Sequence, residues 1–139
     1  LFDWANARGI KVVEDSCHAL GGSYKGFPIG SCQYSHASVF SFHPVKPITT
    51  GEGGAVTTND EELYNQLKLF RSHGLSKESN LENSLEPWEY EMIQLGFNYR
   101  MPDILASLGC SQLKKLKQVK TNNSKKVCFS DIYIGLARI

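Results

Sequence analysis

The stretch Ser41-Phe42-His43-Pro44-Val45-Lys46-Pro47-Ile48-Thr49-Thr50-Gly51-Glu52-Gly53-Gly54 carries a single lysine in a polar turn. An amine held in a rigid turn can form a Schiff base with a carbonyl compound, and burial favours its neutral, nucleophilic form. Upstream, Asp15 closes the β-branched run Ile10-Lys11-Val12-Val13-Glu14-Asp15, and His18 lies three positions further on. In α/β folds ligands gather at the carboxyl ends of parallel strands, which is where Asp15 falls. Each residue also has a plainer reading. Lys46 alone is a surface charge, Asp15 starts a turn or caps the next segment, and His18 is a hydrogen-bonded structural imidazole.

These residues need a scaffold, and the pattern around them supplies one. Leu1, Phe2 and Ala5 share a helical face and Gly9 is a C-terminal stop. The chain opens inside this helical pattern, as a stretch of something longer would. A helix, a glycine and then the 10–15 strand make the αβ half of an α/β unit. Residues 16–35 are rich in turns, with Tyr24-Lys25-Gly26-Phe27 spaced as a small hairpin. Ala37 to His43 alternates as a strand, with Phe40 and Phe42 on one face and Val39 and Ser41 on the other. After the lysine turn, Ala55 to Thr58 forms a second apolar run.

Residues 59–74 read as a helix. Asn59 is the expected N-cap, Glu62 completes a capping box, Leu63, Leu67 and Phe70 share a face, and Gly74 ends it. Residues 75–95 lack a period, and a loop of that length is expected to be a lid, a binding loop or disordered, with Trp88 and Tyr90 weighing against complete disorder. A helix from Pro102 to Lys117 comes next, with Ile104, Leu105, Leu108, Leu113 and Leu116 forming an apolar arc. Residues 119–139 fit no clear pattern and stay unassigned.

Composition narrows the partners. The chain has 139 residues, 41% hydrophobic and 21% charged, enough for one compact globular domain. Its net charge of +1 gives no electrostatic case for nucleic acid or an anionic membrane. No apolar run reaches the length of a membrane span. The cysteines at 17, 32, 110 and 128 show no C-x-x-C spacing, so no metal site is indicated and reduced thiols in a cytoplasmic protein are expected.

Several segments, in order, carry a resemblance. They are Val13-Glu14-Asp15-Ser16-Cys17-His18-Ala19-Leu20-Gly21, Ser41-Phe42-His43-Pro44-Val45-Lys46, Thr50-Gly51-Glu52-Gly53-Gly54, Arg71-Ser72-His73-Gly74 and Gly96-Phe97-Asn98-Tyr99-Arg100. Together they resemble the DegT/DnrJ/EryC1/StrS family of pyridoxal-phosphate-dependent sugar aminotransferases, from about residue 1 to residue 118. Within that family, the Lys46 turn and Glu86-Pro87-Trp88 followed by Tyr90-Glu91 are most similar to transaminases of UDP-4-keto-6-deoxy-N-acetylhexosamines.

The resemblance implies an α/β fold, part of the large domain of an aspartate-aminotransferase-like, type I transferase, with a mostly parallel sheet flanked by helices. It implies that residues 1–118 are part of a cofactor-binding large domain and that 119–139 are a divergent tail. It implies that Lys46 is the Schiff-base lysine for pyridoxal 5'-phosphate and later the base that moves a proton. By the same resemblance Asp15 pairs with the cofactor's ring nitrogen and keeps it protonated. His18 lies against the ring or its phenolic oxygen, Ser41 donates to the phosphate, and Asn98 reaches the phosphate in a neighbouring subunit. A homodimer is therefore expected, acting on a nucleotide sugar with glutamate as implied amino donor. Family members are much longer, so the alternative expectation is a truncated, inactive remnant.

Overall fold

The computed structural model describes residues 1–76, 88, 90–122 and 133–137. They fall into two compact units, residues 1–59 with 101–139, and residues 60–100.

In the first unit, helix α1 (Phe2–Asn6) buries Ala5 completely. Gly9, at φ 65°, turns the chain into strand β1 (Lys11–Asp15). The predicted hairpin is present as β2 (Ser23–Tyr24) paired with β3 (Phe27–Pro28). Its two turn residues, Lys25 (φ 47°) and Gly26 (φ 85°), take the positive φ values that a right-twisted two-residue hairpin requires. Strand β4 (Ala37–Ser41) comes next, then the lysine turn, then β5 (Gly54–Thr57).

The main sheet has the order β5-β4-β1-β8, where β8 is Tyr133–Ala137. β1 and β4 run parallel, with Val13 opposite Ala37 and Asp15 opposite Val39. β4–β5 and β1–β8 are antiparallel. The expected α/β architecture is present, but the expectation of a mostly parallel sheet needs correction within the described strands. The turn between β4 and β5 reverses the chain too quickly for a crossover, and a short connection of that kind yields an antiparallel pair. β8 belongs to residues 119–139, for which the sequence shows no clear pattern.

Between the sheet and its covering segments lie Val12, Ala19, Ala37, Phe40 and Ile48, each buried. Two buried serines are satisfied by each other, Ser16 Oγ and Ser38 Oγ standing 2.7 Å apart. The start of β1 is clamped by His36. Its Nδ1 accepts from the Val12 amide at 3.0 Å, and its own amide donates to the Val12 carbonyl at 2.8 Å. Helix α3 (Asp103–Asn122) starts one residue after Pro102, whose carbonyl accepts from the Leu105 and Ala106 amides. Of the predicted apolar arc, Leu105 and Leu116 are half-buried, whereas Ile104, Leu108 and Leu113 are exposed.

In the second unit, α2 (Glu61–Arg71) is capped by Asp60, not by Asn59. Asp60 Oδ1 accepts from the Leu63 amide at 3.1 Å, while the Asn59 side chain donates to the Ser31 carbonyl instead. A carboxylate suits this end of the helix dipole better than an amide does. His73 (φ 61°) and Gly74 (φ 67°) end the helix, the Gly74 amide returning to the Leu69 carbonyl at 2.7 Å. β6 (Leu75–Ser76) pairs antiparallel with β7 (Glu91–Met92). The predicted lid lies largely outside the described residues. Its two aromatic residues, Trp88 and Tyr90, are exposed.

Candidate active site

The parallel pairing of β1 with β4 places their carboxyl ends side by side. β1 ends in Asp15 and β4 in Ser41, and the lysine turn starts directly after Ser41. The turn is built by its own backbone. The Phe42 amide donates to the Gly53 carbonyl at 2.8 Å and the Thr50 amide to the Phe42 carbonyl at 3.0 Å, so the loop closes on itself. Inside it, the Lys46 amide donates to the His43 carbonyl at 2.9 Å, and His43 Nδ1 accepts from the Val45 amide at 3.4 Å.

Thr50 locks this loop from below. It is 1% exposed, and its hydroxyl donates to the Glu52 carbonyl at 2.8 Å. Ile48, 2% exposed, anchors the other side of the turn. Two glycines are demanded by close approach. A Cβ on Gly54 would stand 2.6 Å from the Phe40 carbonyl oxygen, and one on Gly53 would stand 2.5 Å from Thr50 Oγ1. From α3, Gly109 meets the Thr50 methyl so closely that a Cβ there would be 2.9 Å away. The glycine-rich return thus exists to let the loop and α3 pack on Thr50.

The lysine side chain meets the end of β1. Lys46 Nζ stands 2.6 Å from His18 Nε2, across 28 positions of sequence. Asp15 belongs to the same cluster, because the charges of Lys46 and His18 both act on it. Its carboxylate accepts from the Cys17 amide at 3.1 Å. These hydrogen bonds from Cys17, helped by Lys46 and His18, hold the Asp15 carboxyl below the usual carboxylate range despite some opposing desolvation. The Cys17 thiol is pushed up, first by burial and then by the neighbouring Asp15 carboxylate. The Ser41 backbone lies against that same thiol, which ties the end of β4 to the cluster. Ser41 Oγ accepts from the His43 amide at 3.3 Å, leaving the hydroxyl hydrogen free to donate.

The structure therefore brings together Asp15, His18, Ser41 and Lys46 of the predicted set. Asp15 and His18 are exposed and Lys46 is half-buried, so the lysine is less desolvated than a buried amine would be. Asn98 lies in the second unit, where it is exposed and bridges to Ser72. Beside it, Phe97 and Tyr99 stack with centroids 4.8 Å apart. Cys17 and Thr50 are contributors that the motifs do not single out. Cys17 sits within the Asp15-to-His18 segment, and Thr50 immediately precedes the glycine return, so adjacency was the available signal. Glu52, whose role is not legible in the sequence, serves through its carbonyl. Among the described residues no cluster of His, Cys, Asp and Glu could hold a metal ion, and no helix is long and apolar enough to cross a membrane. Cys17, Cys32 and Cys110 are free thiols.

The carboxyl ends of β1 and β4 thus carry a carboxylate and a hydroxyl beside the contact of an amine with an imidazole. The sequence profile of the DegT/DnrJ/EryC1/StrS aminotransferase family matches residues 1–132. A UDP-4-amino-4,6-dideoxy-N-acetyl-beta-L-altrosamine transaminase of Campylobacter jejuni is 49% identical over 112 residues, covering 81% of this chain and 27% of the relative. Among solved structures, the Helicobacter pylori aminotransferase PseC, described as involved in the biosynthesis of pseudoaminic acid, superposes with a TM-score of 0.73 at 44% identity. That match covers 84% of this chain and 29% of PseC. The sugar aminotransferase Spr1654 of Streptococcus pneumoniae, described as putative and solved in its PLP form, gives a TM-score of 0.63 at 38% identity, over 76% of this chain and 26% of that one. The chain thus spans little more than a quarter of the length of the relatives it matches.

Proposed function

The chain belongs to the DegT/DnrJ/EryC1/StrS aminotransferase family, and from that premise we propose that it supplies the lysine-bearing part of a nucleotide-sugar aminotransferase site. The reaction is amino transfer from glutamate to a 4-keto-6-deoxy nucleotide sugar destined for a surface polysaccharide or glycan. Pyridoxal 5'-phosphate is the cofactor, and when bound it supplies an aromatic ring that accepts the electrons of a carbanion. The observation that carries the reading is the short contact between Lys46 Nζ and His18 Nε2 with the Asp15 carboxylate beside it.

Each residue then has a task set by its chemistry. Lys46 holds the cofactor covalently through Nζ and, once released, its free amine moves a proton at the substrate carbon that bears the amino group. Asp15 is kept ionised by Cys17, as a partner for a protonated ring nitrogen must be. His18 offers its imidazole to the cofactor ring or its phenolic oxygen. Ser41 offers its hydroxyl hydrogen to the phosphate. Asn98, exposed in its own unit, is available to a cofactor phosphate in a second subunit, so the working form is a homodimer. The free thiols at 17, 32 and 110 support a cytoplasmic setting.

The experiment is addition of pyridoxal phosphate to the purified chain. The expected result is a visible absorbance band that borohydride fixes to Lys46 and that Lys46→Ala abolishes. A folded chain that gives no band refutes the proposal. A band together with no amino transfer from glutamate would show that this chain holds the cofactor without catalysis.

A further inference from the structure

We propose that His18 acts on Lys46 itself, taking the proton from its ammonium and so arming the amine for capture of an aldehyde. The inference rests on the proposed function only in taking the natural aldehyde to be the cofactor; the step needs nothing else of it.

The geometry carries the argument. At 2.6 Å, Lys46 Nζ and His18 Nε2 leave room for one hydrogen between them. One nitrogen donates and the other offers its lone pair, so the contact is a ready path for one proton between the two side chains. Other titratable groups face the pair. Asp15, at the end of β1, interacts with both members, and Cys17, two residues on, interacts with Lys46. His43, in the lysine's own turn, is engaged by the Val45 amide.

The chemistry balances. The Lys46 ammonium gives a proton to His18 Nε2. The amine lone pair attacks the aldehyde carbon, forming a C–N bond as the carbon–oxygen double bond opens, and the amine's own proton passes to the oxygen. The His18 imidazolium then returns its proton to that oxygen, which leaves as water while the C–N double bond forms. His18 ends as it began, and one water is released for each aldehyde captured. His18 is exposed, so its replacement leaves the core untouched.

The test measures the rate of borohydride-trapped adduct at Lys46 by mass spectrometry of the full chain. Two probes are used: pyridoxal phosphate, and pyridine-4-carbaldehyde, which lacks the phosphate and the phenolic oxygen. Exposed Lys25 and Lys115 provide the internal reference rate. His18→Ala should slow capture of both probes at Lys46 by roughly 10-fold or more, as loss of a proton-transfer partner does. Added imidazole should restore much of the rate. His18→Gln, which can accept the ammonium's hydrogen bond but cannot take its proton, should be slow and not gain from being able to hold the lysine in place. Capture that is unchanged in His18→Ala, or full speed in His18→Gln, overturns the inference. Failure of imidazole to restore a slowed His18→Ala overturns it too, since a merely structural histidine would behave so. If pyridine-4-carbaldehyde obeys these rules while pyridoxal phosphate is not captured at all, the inference stands and the cofactor assignment fails alone.

Discussion

Thr50 is where the rigidity of the lysine turn can be measured. Its hydroxyl and methyl face different partners, the first bonding to the Glu52 carbonyl at 2.8 Å and the second lying against Gly109. The residue is 1% exposed, so neither group is replaced by water without movement. Thr50→Val keeps the branched shape and removes the hydrogen bond, a loss of about 1 kcal/mol. The loss stays modest because Glu52 is exposed and its carbonyl can recruit water. Thr50→Ser keeps the hydroxyl and removes one buried methyl, about 1 kcal/mol including the small void. Thr50→Ala removes both and should cost about 2 kcal/mol, close to the sum, since the two contacts share no partner. Urea unfolding followed by far-ultraviolet circular dichroism resolves this. At a slope of about 1–3 kcal/mol per molar, each single loss moves the midpoint by roughly 0.3 to 1 M. If Thr50→Val unfolds with the wild type, or Thr50→Ala with Thr50→Ser, the hydroxyl is not a strut of the loop and the account of the turn is wrong.

The same geometry sets two further outcomes. Gly54→Ala places a methyl 2.6 Å from the Phe40 carbonyl oxygen across the β4–β5 ladder and should destabilise by about 3 kcal/mol. Gly51→Ala, at φ 81° in open space, should lose only about 1 kcal/mol, so equal urea midpoints for the two variants would contradict the steric argument. The Asp15 carboxyl is lowered in the folded chain, so its contribution is present above the ordinary carboxylate range and disappears as pH falls through the folded value. Thermal midpoints of wild type and Asp15→Asn should therefore differ at neutral pH and converge in acid; a gap that persists at the lowest pH would show that the ionised carboxylate is not the source.

The sequence by itself determined what depends on neighbours along the chain. The hairpin around Lys25 and Gly26 was implied by its spacing, and the lysine turn by the polar stretch and glycine-rich return between two strand-like runs. Helix α2 and its Gly74 stop were legible because a 3.6-residue period and a left-handed terminus are local demands. The cap itself was not, since Asn59 and Asp60 are both good caps and the choice went to Asp60 once Asn59 had reached the Ser31 carbonyl. Strand direction was settled by pairing, which is non-local: β4 took β1 as a parallel partner and β5 as an antiparallel one.

The site divides in the same way. The family resemblance that the ordered motifs carry named Asp15, His18, Ser41, Lys46 and Asn98. Tertiary structure decided which of them meet. The register of β1 against β4 sets Asp15 level with Val39, two residues short of Ser41, and so brings the turn after Ser41 over the segment after Asp15. That register produces the 2.6 Å contact of Lys46 with His18, whereas the hold of the Cys17 amide on Asp15 is local, two residues along the chain. A sequence specifies the reactive groups residue by residue, but a hydrogen bond between two of them needs their separation fixed to a fraction of an ångström, and only packed strands and a locked turn supply that.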